Sequence, residues 1–414
     1  MNKDIPYVET LPSHWRVIQN RFLFFNDGQK VGDAHSDYQL LSLTTGGIKE
    51  RDINASGGKI PASYDNYQTV KKGQMVFCLF DLDCSAVFSG ISNYDGMITS
   101  AYDVFSNTEM IDNGYADYWF KYVFSNRYYK MFSKSIRYTI TGDMFRSLKT
   151  PVPPIKEQKR ISTFLLEQET KVDALIANVQ AQIEKLKAYK QSVITETVTK
   201  GLDPSAPTKD SGVEWIGIIN SSFAVNPIKS IFKIKKDIIG REPETVLSIT
   251  QNGLKIKNIS ENEGQMANSY ANYQIVNVGD FAMNHMDLLT GGIGISEYEG
   301  VTSPDYRVFV KKNPDYSSRY FLYLFEMYYR NKIFYAFGQG AANIGRWRLP
   351  AQNFNTLEIP VPPVEDQHKI AKYLDDKCSQ INKLIEIKQK KIEKLVEYKK
   401  SLIYEYVTGK KEVQ

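Results

Sequence analysis

"PVPPIKEQKRISTFL" occupies residues 151–165, and "PVPPVEDQHKIAKYL" occupies residues 360–374. Prolines fix φ and discourage helix in the residue before them, while an acid lies in the first turn that follows. Each copy therefore predicts an extended stretch leaving one domain and a helix starting at once. A single copy would be an ordinary proline linker ahead of a surface helix. Two copies 209 residues apart require another account. Read forward without a gap, "IEKLKAYKQSVITETVT" (183–199) falls on "IEKLVEYKKSLIYEYVT" (392–408), and 21 of the 49 pairs from Pro151/Pro360 to Thr199/Thr408 are identical. That is an internal duplication.

Read backward, the match continues in pieces. "LLSLTTGGIKERD" (40–52) resembles "VLSITQNGLKIKN" (246–258), and "YDNYQTVKKGQMVF" (64–77) matches "YANYQIVNVGDFAM" (270–283). "SGISNYDG" followed by "YDVF" at Tyr102 matches "IGISEYEG" followed by "YRVF" at Tyr306. The opening "YVETLPSHWRV" recurs weakly from Gly212. The chain is a globular head plus a long helix, written twice. We divide it into a first head (1–150), a first helical spacer (151–208), a second head (209–359) and a second helical spacer (360–414). Close agreement in the helices and scattered agreement in the heads is the first functional clue.

The heads are expected to be mixed α/β, mostly β. "QTVKKGQMVFCLF" and "QIVNVGDFAMNHM" predict a strand, a glycine turn and another strand. "ADYWFKYVFSNRYYKMF" and "SRYFLYLFEMYYRNKIFYAF" predict aromatic-rich amphipathic helices whose rings are most simply core. In the spacers, Val172, Val179, Leu186 and Val193 recur every seven residues, with Ile176 and Ile183 between them. Their counterparts are Ile381, Leu395 and Leu402, with Ile385 and Ile392. This is a coiled-coil seam, interrupted at Lys190, Lys388 and Lys399, and polar seam positions set register at some cost in stability. A compact domain usually keeps its termini close. The second helix should therefore start beside the end of the first and run antiparallel to it, with a pseudo-two-fold axis. About 44 residues of helix span about 65 Å. The expected class is α+β: two heads joined by two long helices in an antiparallel coiled coil.

Composition bounds the possibilities. At 414 residues, 42% hydrophobic and 24% charged, the chain suits two to four soluble domains. A net charge of +5 permits a polyanionic partner without requiring one. Three cysteines (Cys78, Cys84, Cys378) are unsuited to a disulfide framework and favour a reducing compartment. "MNKDIPYVETLPSHW" has no apolar core of signal-peptide length, and Glu326 and Arg330 break the most apolar later stretch. A cytoplasmic location is expected.

The order of head, "PVPP-x-x-E/D-Q" helix, head and "PVPP-x-x-E/D-Q" helix resembles the DNA-specificity subunit of type I restriction–modification enzymes. The resemblance covers essentially the whole chain. It rests on Pro153-Pro154 with Glu157-Gln158, on Pro362-Pro363 with Asp366-Gln367, and on "KDSGVEWIG" from Lys209. Asp366 stands where Glu is commoner, and "IINSSFAV" lacks the Pro-x-His-Trp that "LPSHW" retains at Leu11. The resemblance implies two target-recognition domains, each reading one half of a bipartite site in double-stranded DNA. It also implies two methyltransferase subunits docked on the helical frame, restriction subunits beyond them, and no catalysis by this chain. S-adenosylmethionine, ATP and magnesium would then belong to the partners, with no cofactor here.

The residues themselves offer little chemistry. There is no G-x-x-x-x-G-K-[ST] phosphate loop, and "PVPP" is not the Asn/Asp-Pro-Pro-aromatic tetrad of adenine methylation. Glu386-x-Lys388 mimics half of a nuclease motif but lies mid-helix. His14, His35, His285 and His368 are scattered, so no metal site is expected. Sequence readout needs Arg, Lys, Asn or Gln at base edges. "GQGAANIGRWRL" concentrates Gln339, Asn343, Arg346 and Arg348 beside glycines, and the equivalent "SKSIRYTITGDMFR" offers Lys134, Arg137, Tyr138, Thr139 and Arg146. Thr44, Thr45, Gln251 and Asn252 occupy matching loops and rank lower. Each arginine could equally solvate a loop or pair with an acid. The competing expectation is a two-headed coiled-coil protein that binds other proteins rather than DNA.

Overall fold

Short strands with alternating apolar residues cannot bury a face alone, and in each half of the chain four of them pair into an antiparallel sheet. The computed structural model describes residues 4–52, 63–133, 137–258, 267–340 and 347–413. The first sheet runs in the order Phe24–Asn26, Asp103–Asn107, Met75–Phe77, Ser89–Ile91. The second runs Phe232–Lys235, Arg307–Lys311, Phe281–Met283, Ile293–Ile295. Registers agree: Phe77 faces Asp103 in one and Met283 faces Arg307 in the other. Gly73 (φ +91) and Gly279 (φ +89) make the turns expected between the quoted strands. The strands they join belong to different sheets, since Gln68–Val70 pairs with Gly96–Ile98 and Gln274–Val276 with Gly300–Thr302.

A helix covers each sheet, Asn113–Ser125 in the first head and Ser318–Arg330 in the second. Asp112 and Ser317 cap them by accepting from Tyr115 N and Tyr320 N. Their aromatic residues are core, with Tyr115, Trp119, Phe120, Tyr320, Phe321 and Phe325 all fully buried. Neither helix runs the full length of the amphipathic stretch that predicted it. Each breaks at a left-handed residue, Arg127 (φ 55) or Lys332 (φ 59), before a short second turn.

The chain divides into two units, Met1–Gln180 with Gln389–Gln414, and Ala181–Lys388. In each, the proline motif is a strand before it is a helix start. Lys149–Val152 pairs with Arg16–Gln19, and Glu358–Val361 pairs with Ala224–Pro227. The long helices follow as Ile155–Lys200 and Val364–Val407. Within the first unit Phe164 packs on Tyr406 while Asp173 meets Lys399. Within the second, Gln182 meets Lys388 while Lys190 meets Asn382. Numbers rise on one helix as they fall on the other, so both paired segments are antiparallel. Of the seam residues, Val172, Val179, Ile183, Val193, Ile381 and Leu402 are buried. Ile176, Leu186, Ile385, Ile392 and Leu395 are half-buried. The lysines that interrupt the seam all have polar partners on the facing helix.

Candidate nucleic-acid interface

After its covering helix, each head sends the chain through a loop and back to the sheet. The return is fixed by one backbone bond at a matched place: Ile140 N donates to Leu79 O (2.9 Å), and Leu349 N donates to His285 O (2.9 Å). A six-residue helix follows, Gly142–Ser147 or Ala351–Thr356, and then the exit strand. The described C-terminal ends of the two basic segments singled out in the sequence thus return at the same position in the two heads. Gln339 and Arg348 exchange both backbone bonds (2.7 and 3.0 Å), and both side chains are exposed. In the first head Arg137 is exposed, and Tyr138 (φ 46) lies half-buried under Lys130 Nζ, 4.0 Å from the ring centre. Thr139 O accepts from Ser133 Oγ. Arg146 sits exposed on the short helix, 3.8 Å from Asp143. Lys134, Asn343 and Arg346 lie outside the described residues.

The lower-ranked residues are placed elsewhere. Thr44 closes its hairpin by donating to Gly47 O, with Thr45 at the tip. Gln251 Nε2 donates to Thr290 O, with Asn252 beside it. In the first unit the tip lines a groove with Asp117, Tyr118 and Lys121 of the covering helix and Glu169 of the long helix. In the second, Gln251 and Asn252 line a groove with Arg319, Glu326 and Asn382. None of the described loop candidates lines either groove.

Beneath the loop roots are groups that the sequence reading passed over. Arg307, at 4% exposure, donates through Nη2 to Leu349 O (2.8 Å) and lies over the Phe354 ring. Among the described residues its Nη1 has no partner, and neither does Nδ1 of buried His285. Burial, reinforced by Arg348, lowers the Arg307 guanidinium to about 10. Burial, with Arg307 and Arg348 adding to it, lowers His285 to about 3, so the ring is neutral near neutral pH. At the matching position of the first head stands Asp103, half-buried, with its carboxyl raised by burial. A signal was available: "YDVF" and "YRVF" differ at a single residue, and that residue reverses charge.

Among the described residues, no group of three or more His, Cys, Asp or Glu side chains is placed to hold a metal ion. Among the described residues, no helix is long and apolar enough to cross a membrane.

Comparison with known proteins agrees with this architecture. Residues 220–397 match the family described as the type I restriction modification DNA specificity domain. A putative type I restriction enzyme MjaX specificity subunit from Methanocaldococcus jannaschii is 26% identical over 245 residues, 57% of this chain. The match spans about half (54%) of that relative's length. One solved chain, from a study of complex assembly and conformational transition of the type I R-M system, superposes with a TM-score of 0.67 over 97% of this chain and 99% of its own, at 13% identity. The HsdS subunit from Thermoanaerobacter tengcongensis gives 0.51 over 98% of both chains, again at 13% identity. At such identity the two structures speak for the fold, while the matched domain and the relative speak for descent. A stretch similar to that specificity domain thus lies in the second half of the chain, and the same head-and-helix unit is written again in the first.

Proposed function

We propose that this protein is the DNA-reading, non-catalytic subunit of a type I restriction–modification complex, in which each head recognises one half of a bipartite duplex site. The observation that carries the reading is the contrast between matched scaffolds and unmatched loops. The two heads share strand order, register, covering helix and exit strand, yet differ in the residues they set at the loop root. A reader of two different half-sites needs that combination. Arg137, Gln339 and Arg348 are exposed at these roots and are of the types that reach base edges and phosphates.

Partner methyltransferase subunits would dock on the helical frame, with restriction subunits beyond them. S-adenosylmethionine, ATP and magnesium would sit on those partners, in the cytoplasm where the host DNA lies. The alternative, two heads that bind other proteins, predicts no dependence on DNA sequence or salt. Association of the chain and its methyltransferase partner with duplex DNA should weaken steeply as salt rises, because phosphate contacts release counterions. Titration across salt concentrations tests this, and binding to DNA that is flat in salt and indifferent to sequence would overturn the assignment.

A further inference from the structure

Asp103 and Arg307 hold the same register position, opposite Phe77 in one sheet and Met283 in the other. Each lies next to the strand end that receives its loop, at Leu79 O or His285 O. Neither charge is neutralised by a neighbour among the described residues. Among the described residues the Asp103 side chain has no ion pair or hydrogen bond, and burial alone raises its carboxyl. Oδ1 points to the start of the short helix, where a methyl group built on Gly142 would lie 3.5 Å away. Among the described residues Arg307 Nη1 has no partner, although that atom is sealed from solvent. The rest of the root differs as well, with a neutral residue in the first head where the second has an arginine. Thr139 and Leu79 accompany Asp103, whereas Arg348 and His285 accompany Arg307, counting back from the paired returns at Ile140 and Leu349.

A buried or half-buried charge without a partner is costly to a fold. Two such charges of opposite sign at one position of a duplicated scaffold are not explained by a shared structural need. DNA offers a discriminating ligand. Phosphates only accept hydrogen bonds, so a carboxylate at a contact point repels them. The groups a carboxylate can meet are the amino donors of adenine and cytosine, while guanine presents two acceptors, O6 and N7, to an arginine.

Resting on the DNA-reading assignment above, we propose that the position shared by Asp103 and Arg307 is specificity-determining: Asp103 selects an amino-bearing base, adenine or cytosine, in the first half-site, and the Arg307–Arg348 root selects guanine in the second. Asp103 is exposed enough to meet the base itself. Arg307 is a positioning residue. Held by Leu349 O and the Phe354 ring, its fixed positive charge directs exposed Arg348 outward toward the groove.

The test uses the full chain with its methyltransferase subunits, selecting duplexes from a randomised library that are then sequenced. Wild-type complex should enrich guanine in the second half-site and adenine or cytosine in the first. Asp103→Asn, which keeps shape but adds a donor, should reduce base discrimination about tenfold or more in the first half-site and leave the second unchanged. Arg348→Thr, the residue type of the first head, should do the reverse. Arg307→Met should follow Arg348→Thr, and Arg307→Lys should restore guanine selection, which a purely structural role would not link to charge. Should Arg307→Met fail to fold, the Asp103 and Arg348 variants decide. Asp103→Asn and Arg348→Thr chains that melt like wild type and select an unchanged motif overturn the proposal, as does a change in the wrong half-site. A wild-type complex with no sequence preference at all would instead remove the DNA-reading assignment itself.

Discussion

Gln158 and Gln367 explain why the repeated motif ends its first helical turn with an amide. Both are wholly buried. Gln158 donates from Nε2 to Pro153 O and Met110 O and accepts from Asp112 N, so it joins the start of the long helix to the cap of the covering helix. Gln367 does the same with Pro362 O and Ser317 N. The neighbouring acid differs between the repeats for a visible reason. Glu157 accepts from Trp15 Nε1 and meets His14, and where the second head lacks that His-Trp pair, the shorter Asp366 stands. Replacing Gln158 with Leu should cost about 1–3 kcal/mol, since one buried and two partly buried backbone groups lose their partner. Gln367→Leu should cost less, and denaturant unfolding would rank the two. His285 gives a pH signature. Its folded value of about 3 lies below its ordinary 6.5, so unfolding takes up a proton between those limits. The stability is fully present above pH 6.5 and is lost as pH falls toward 3. Comparing His285→Leu with wild type at pH 7 and pH 5, the variant should gain about 2 kcal/mol relative to wild type on acidification. An unchanged difference between the two pH values would count against a buried neutral ring. The glutamine was legible in the sequence, but its role was not, because Asp112 lies 46 residues upstream.

At the level of elements, legibility followed the range of the interactions. A heptad pattern is local, and the helices Ile155–Lys200 and Val364–Val407 start within a few residues of where the prolines place them. The strand that closes each head was not visible, because Val17 pairs with Pro151 and Val225 with Pro360 across most of a domain. Proline tolerates such a two-stranded edge because one side of the strand needs no donor. The covering helices were read too long, since nothing in an aromatic run announces a left-handed break at Arg127 or Lys332. Polar residues in the helix seam pair with the facing helix. Burial pushes the Glu169 carboxyl up, but Lys121, Tyr118 and Lys399 outweigh it and hold the group below its ordinary value. Lys399 also reaches Asp173. Leu402, buried in the same unit, should lose about 2–4 kcal/mol on replacement with Asp, which strands a charge in an apolar seat. Lys399→Met should cost no more than about 1 kcal/mol, because its partners are partly exposed and Lys121 remains. Helical circular dichroism against denaturant would separate the two, and equal losses would mean that packing does not dominate the seam.

For the whole molecule, the duplicated closures imply that a head can be exchanged as a unit. Each head is sealed where it leaves the sheet: Tyr115 donates its hydroxyl to Pro151 O and lies 3.4 Å from Val407 O, while Tyr320 donates to Pro360 O and Val198 O. Both tyrosines are fully buried, so each ties an exit strand to the end of a long helix in its own unit. A foreign head placed between Tyr7 and Lys149 must therefore bring three things: a strand in register with residues 149–152, a cap where Asp112 stands, and a tyrosine where Tyr115 stands. A replacement head meeting those terms should fold on the resident helices and change one half of the methylated site, leaving the other half and the gap intact. The same head carrying Phe at the tyrosine position should lose about 1–3 kcal/mol, because Pro151 O is then buried without its donor. Methylation sequencing of DNA from a host carrying each chimera, with its methyltransferase partner, reads the outcome directly. A chimera that folds and methylates but alters both half-sites would show that the heads do not read independently. One that tolerates Phe without loss of stability would show that the closure is not what joins head to helix.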